Sequence, residues 1–195
     1  MKYLFIVAIS LVLSACSFKQ GVQINHYALS NGYKTIKSEQ TFDKTLLLHF
    51  PKVNQSFNTQ QIIYSTQVHH FESYAKNQWL QLPSTMLYTI IQQAFQEHAL
   101  FKHTTTNAFV QHDYAMHTQL LTLYHGYDKN LEHSYAFVEI KFDVVQNKQL
   151  LETLYFKQKV LCEENTPYGF ILASNQAFET IFKTLFQKLP PLIEP

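Results

Sequence analysis

The sequence predicts an α+β fold: a single domain in which a mainly antiparallel sheet is covered by two amphipathic helices. Three patterns point to it. Ala136, Val138, Ile140, Phe142 and Val144 alternate with the residues between them, the period of a half-buried strand. Met86, Leu87, Ile90, Ile91, Ala94 and Phe95 recur instead at spacings of one, three and four, the stripe of a helix lying on a core. Ala173, Ala177, Phe178, Ile181, Phe182, Leu185 and Phe186 repeat that stripe near the C-terminus.

In chain order, the first stretch is MKYLFIVAISLVLSACSFKQ. Lys2 precedes an apolar run from Tyr3 to Leu13, the length of a secretory leader. That run falls short of the roughly 20 residues needed to cross a bilayer. Leu13-Ser14-Ala15-Cys16 resembles a bacterial lipobox, in which Cys16 is acylated and becomes the first residue of the mature chain. A signal anchor with an incidental cysteine is the alternative. Each buried CH₂ contributes about 0.8 kcal/mol, so several acyl chains on one residue hold a protein on a membrane. Ser17, where an aspartate resembles an inner-membrane retention signal, implies by the same resemblance the periplasmic face of an outer membrane. The expected organisation is a signal peptide over 1–15, a lipidated N-terminus and tether over 16–25, a domain over 26–190 and a tail over 191–195. A domain of that size buries about 70 % of the surface its unfolded chain exposes.

After the tether, His26–Ser30 reads as a first strand, and Asn31-Gly32 turns the chain. Leu46, Leu48 and Phe50 mark a second strand, stopped by Pro51. Gln61–Thr66 and His70–Trp79 follow, with a hairpin expected at or beside Tyr74-Ala75-Lys76-Asn77. Pro83 and Ser84 open the first helix. Phe109–Tyr124 returns to strand composition, and HGYDKN, with Gly126, reads as a turn. The alternating strand comes next, then a turn at Asn147-Lys148-Gln149, then a strand with Leu150, Leu154, Phe156 and Val160 on its apolar side. Pro167-Tyr168-Gly169 breaks the sheet pattern, and the second helix is expected from about Leu172 to Leu189, ended by Pro190-Pro191.

Composition narrows the function. Fifteen lysines meet 14 acidic residues, and arginine is absent. Such a surface is poor material for phosphate backbones, which argues against a nucleic-acid partner. Cys16 and Cys162 are the two cysteines. With Cys16 acylated, Cys162 has no intramolecular partner and the core must hold the domain. Cys162 reads as a small buried hydrophobe, the alternatives being a reactive thiol or an intermolecular bridge.

Familiar catalytic chemistry finds no purchase. Gly21, Gly32, Gly126 and Gly169 stand alone and compose no phosphate-binding loop, and there is no G-x-S-x-G elbow. His69 and His70 point to opposite faces of a strand. His112, His117, His125 and His133, with Asp113 or Glu132, lack metal-ligand spacing and read as ordinary histidines. Asp113, Asp128, Glu132, Glu139 and Asp143 read as solvent-facing charge rather than a catalytic pair. No catalytic residue, metal or cofactor is expected. With 16 Phe and 12 Tyr, most of Tyr27, Tyr64, Tyr74, Trp79, Tyr88, Tyr114 and Tyr155 should pack the core, the remainder offering a contact surface.

Tyr27-x-Leu29 after the tether, LLLHFPKV at 46–53, Ile63-Tyr64 within QQIIYSTQ, and Trp79 within NQWLQLPSTMLYTI resemble the ABC-type transport auxiliary lipoprotein family. The likeness is to the periplasmic lipoprotein encoded with paraquat-inducible, MCE-domain lipid transport systems, and in element order it runs through the terminal helix. It implies lipid attachment at Cys16, and partner-contact or family-motif positions at Tyr27, Leu29, Tyr64 and Trp79. It further implies a non-enzymatic subunit that docks or aligns an MCE-domain periplasmic protein and its ABC or permease components between membranes. Self-association into a homo-oligomer stays open. A lipid or small-ligand carrier lipoprotein is the first rival reading and a periplasmic hydrolase the second.

Overall fold

Residues 23–30 and 37–193 are described by the structure, a computed structural model. The leader, the lipobox with Cys16, Ser17 and the turn at Asn31-Gly32 lie outside the described residues. The strict alternation after Ser134 does form a strand, β8 (Ser134–Gln146), whose inward residues Ala136, Val138, Ile140, Phe142 and Val144 are all in the core. Antiparallel ladders join it to β7 (Tyr114–Tyr127) on one side and to β9 (Gln149–Leu161) on the other. The β8–β9 link turns on Asn147 and Lys148, both with positive φ (51° and 63°), the pair of conformations that matches the strands' right-handed twist.

On its other side, β7 receives three short strands in succession, all parallel to it. β2 (Phe42–Leu48) pairs at Tyr114–Met116, β3 (Lys52–Val53) at Gln119–Leu120, and β4 (Gln61–Gln67) at His125–Gly126. β4 pairs antiparallel with β5 (His70–Trp79), β5 parallel with β1 (Asn25–Tyr27), and β2 parallel with β6 (Phe101–Thr105). The described residues thus form one nine-stranded mixed sheet whose longest ladders are antiparallel.

Two helices, α1 (Pro83–His98) and α2 (Pro167–Lys188), cover one face of this sheet. All six stripe residues of α1 and all seven of α2 are buried. The helices meet where Phe95 and Phe186 pack edge to face at 5.0 Å. The α+β class, with two helices on a sheet, is therefore as the sequence predicts. No described helix is long and apolar enough to cross a membrane.

Several boundaries differ from expectation. The β4–β5 turn lies at Val68-His69, where His69 takes φ 66°, and Tyr74–Asn77 continues through β5. Gly126 is inside β7, because His125 and Tyr127 carry side chains that the interior binds, and the turn follows it at 128–133. Phe109 sits 99 % exposed in the approach to β7, Phe50 lies beyond the end of β2, and Leu150 is 60 % exposed at the hairpin end of β9. β6 was not anticipated. α2 starts at Pro167, since Thr166 caps it by accepting the Gly169 N–H (3.0 Å) and proline fits the first helical position, where no N–H is needed.

Candidate functional site

The face opposite the helices is where the remaining chemistry collects. Tyr135, Phe137, Glu139, Lys141 and Asp143 alternate with the core residues of β8 and so point away from the helices. In β7 the register slips between Leu120 and Thr122, which exchanges the two faces of the strand. His117 and Gln119 face outward before the slip, and Thr122, Tyr124 and Gly126 after it.

That slip places Tyr124 at the centre of an aromatic patch. Its ring lies 5.2 Å from Phe137, 6.5 Å from Tyr135, 5.2 Å from Phe71 and 6.5 Å from Phe57. Tyr135 can lie against the sheet because Gly126 has no side chain: a Cβ there would stand 2.3 Å from the ring. The Lys159 ammonium sits over Tyr135 at 3.8 Å, and that of Lys157 over Phe137 at 5.0 Å. Lys157 also pairs with Glu139 (3.0 Å), which accepts from Thr122 (2.8 Å) and Tyr155 (2.9 Å). Burial raises the Glu139 carboxyl, but these donors outweigh it and hold it below its ordinary value. Burial, with Tyr135 beside it, pushes the Tyr124 phenol up to about 12.

Phe71, half exposed, forms a wall between two open clefts on this face. One, of about 580 Å³, takes in the Val68-His69 turn, Tyr124, Tyr135 and Lys129. The other, of about 640 Å³, is lined by Phe57, Ile63, Glu72 and Thr122. A third cleft, about 570 Å³, lies at the other end of the face beside His49, His112, Asp113, His117 and Lys148. There the His49 and His117 rings stack at 4.0 Å, and burial followed by the neighbouring His117 lowers the pKa of His49.

The positions singled out from the sequence lie on the other side. Trp79 and Leu29 are interior, 2 % and 5 % exposed. Tyr27 pairs with Trp79 in register, and its carbonyl accepts the Leu80 N–H at 2.6 Å. The structure thus brings Tyr27 and Trp79 together, and Trp79 packs on Phe170 of α2 (5.8 Å). Phe170 stacks on His125 (5.1 Å), His125 binds Tyr74, and Tyr74 packs on Tyr64 (4.6 Å), so the fourth position, itself only half-buried, adjoins the outer end of the same chain of rings.

His125 is fully buried, with Nδ1 2.8 Å from the Tyr74 hydroxyl and Nε2 3.7 Å from Cys162 Sγ. Burial lowers its pKa to about 4 and raises those of Tyr74 and Cys162. The pair is therefore held as neutral imidazole and neutral thiol, the opposite of an activated thiolate. Cys162 is half-buried and free.

The sheet brings His112 and His117 into one cleft with Asp113 and leaves the other two candidate histidines apart. His112 and His117 flank one end, His125 is interior, and His133 closes the turn at the far end. Among the described residues, no group of three or more His, Cys, Asp or Glu side chains is placed to hold a metal ion. The acidic residues are engaged separately: Asp113 accepts the Thr45 N–H (2.7 Å), Asp128 the Glu132 N–H (2.9 Å), and Asp143 meets Lys141 (3.2 Å) and Thr153 (2.7 Å). Sequence reasoning missed Phe57, Phe71, Tyr124, Tyr135 and Phe137 as a group. One signal was present, since Tyr135 and Phe137 make β8 apolar on both faces near its start.

No family model matches the chain, and no curated protein matches it. Solved structures do. Protein XCC0632 from Xanthomonas campestris, of family DUF330, superimposes with a TM-score of 0.68 at 14 % identity, over 83 % of this chain and 92 % of that one. A second crystal structure, of an uncharacterized protein, gives 0.67 at 10 % identity, over 86 % of this chain and 99 % of the other. At such identities the likeness is one of fold.

Proposed function

We propose that this chain is an outer-membrane-anchored periplasmic accessory lipoprotein that docks or aligns an MCE-type ABC lipid transport system, with Cys16 as its lipid attachment site. The observation that carries the docking role is the aromatic patch on the helix-free face. Four rings gathered around Tyr124, with Phe71 half exposed, have the make-up of an interface centre, where aromatic side chains supply most of the binding energy. The interior His125–Cys162 pair, held neutral, supports a structural rather than catalytic reading.

The test is complex formation between the membrane-purified protein and the MCE-domain protein produced in the same cell. Phe71→Ala with Tyr135→Ala should weaken that complex roughly tenfold or more, as for central interface aromatics, while leaving the circular dichroism melt nearly unchanged. Failure of the unsubstituted protein to form the complex sinks the docking role. Co-purified lipid unaffected by the double variant would favour carriage, and turnover abolished by one polar substitution would favour a hydrolase.

A further inference from the structure

The apolar side chains at one end of the sheet are exposed in a way the fold does not require. β4 and β7 run parallel with Ser65 opposite Gly126, so the β4–β5 and β7–β8 turns emerge side by side. Each turn presents an aliphatic side chain, Val68 at 79 % exposure and Leu131 at 53 %. Phe71 stands just below, and Leu161, opposite Tyr135 at the end of β9, is 67 % exposed at the same level. Leu131 adopts φ 60°, a left-handed conformation that costs a leucine about 1 kcal/mol or more and that glycine or asparagine takes freely.

We infer that this end of the sheet rests on a phospholipid surface, with Val68 and Leu131 entering the headgroup–acyl boundary. The inference rests on the acylated Cys16 of the proposed function and adds an orientation to it. Chain length permits the contact. Nine residues from Cys16 to Asn25 span up to about 30 Å when extended. Asn25 lies opposite Asn77, and β5 descends from there to the Val68-His69 turn over about 25 Å. The bilayer that holds the acyl chains is thus within reach of both turns. Lys129 and Lys159 at this end are outnumbered by Asp128, Glu132, Glu163 and Glu164, with His69, His70 and His133 beside them. Attraction to anionic lipid is therefore not the driving force. Burial of apolar area is, and a zwitterionic surface suffices.

The experiment uses the processed protein purified from membranes and reconstituted in phosphatidylcholine vesicles, in a Cys162→Ser background. A polarity-sensitive fluorophore is attached through Val68→Cys, Leu131→Cys or Lys148→Cys, the last at the opposite end of the sheet. Side chains buried at the headgroup–acyl boundary should give blue-shifted emission and at least about fivefold stronger quenching by spin-labelled lipid at 68 and 131 than at 148. Val68→Asp should return the probe at 131 to an aqueous signal. Acyl mass on Cys16 is measured on the same samples. Acyl mass present, with probes at 68 and 131 as wet as at 148, overturns this inference alone. Absence of acyl mass overturns the anchoring and the inference together.

Discussion

At the scale of single residues, His125 is the side chain whose chemistry departs furthest from its ordinary state. Its pKa falls from the usual 6.5 to about 4 through burial, and the unfolded chain regains the ordinary value. The unfolded state therefore binds a proton more readily, so the stability contributed by the neutral imidazole is complete above pH 6.5 and declines as pH falls from there toward 4. The linkage amounts to about 3 kcal/mol between pH 7 and pH 4. His125→Phe keeps the stack on Phe170 and leaves Tyr74 its contact with Tyr127 (3.0 Å), so its stability should lose about 3 kcal/mol less over that interval. Urea unfolding at a series of pH values measures the difference. Parallel curves for the two proteins would show that His125 is not held neutral. The lowered carboxyls of Glu139 and Asp143 and the lowered His49 contribute equally to both proteins and cancel in the comparison.

At the scale of elements, both helices were legible because a 3.6-residue stripe is local: every stripe residue of α1 and α2 is buried as its spacing requires. The start of α2 was not. Pro167-Tyr168-Gly169 reads as a breaker when proline and glycine are taken as punctuation, yet here proline occupies the first turn and Gly169 lies inside the helix. Gly169 is needed for a different reason, since a Cβ at that position would stand 2.1 Å from the backbone carbonyl oxygen of Glu164. Two substitutions one turn apart should therefore differ in kind. Thr166→Ala removes one cap and costs about 1 kcal/mol. Gly169→Ala forces the 163–165 segment or the helix start to move, at about 2–3 kcal/mol by analogy with overpacking. It should also disturb Phe170 and so shift the His125 titration toward the ordinary value, visible by NMR. Equal costs with an unchanged His125 titration would show that the loop accommodates a methyl group freely.

At the scale of the whole molecule, the order of strands was out of reach of local pattern. β2, β3 and β4 dock in parallel on one side of β7, and each such pairing is made across intervening chain without the turn signal that announces a hairpin. The aromatic patch depends on that order, because Phe57 and Phe71 meet Tyr124 only once β4 and β5 have joined the sheet beside β7, and on a register slip with no composition signature. Of Tyr27, Leu29, Tyr64 and Trp79, the positions singled out from the sequence, Trp79 and Leu29 are packing residues, a role that burial and not local pattern reveals. The proposed anchor, Cys16, lies outside the described residues that form the core, so the two should fail separably. Phe142→Ala empties a fully buried position between Phe156 and Phe182 and should cost about 3–5 kcal/mol without affecting acylation of whatever protein folds. Under the proposed anchoring, Cys16→Ser should leave the urea midpoint of the domain unchanged, while the acyl mass disappears and the leader stays uncut. Mass spectrometry and cell fractionation of the two variants decide the matter. A Cys16→Ser protein that is still processed after Ala15 and still retained on the outer membrane would show that something other than an acyl chain holds the domain there.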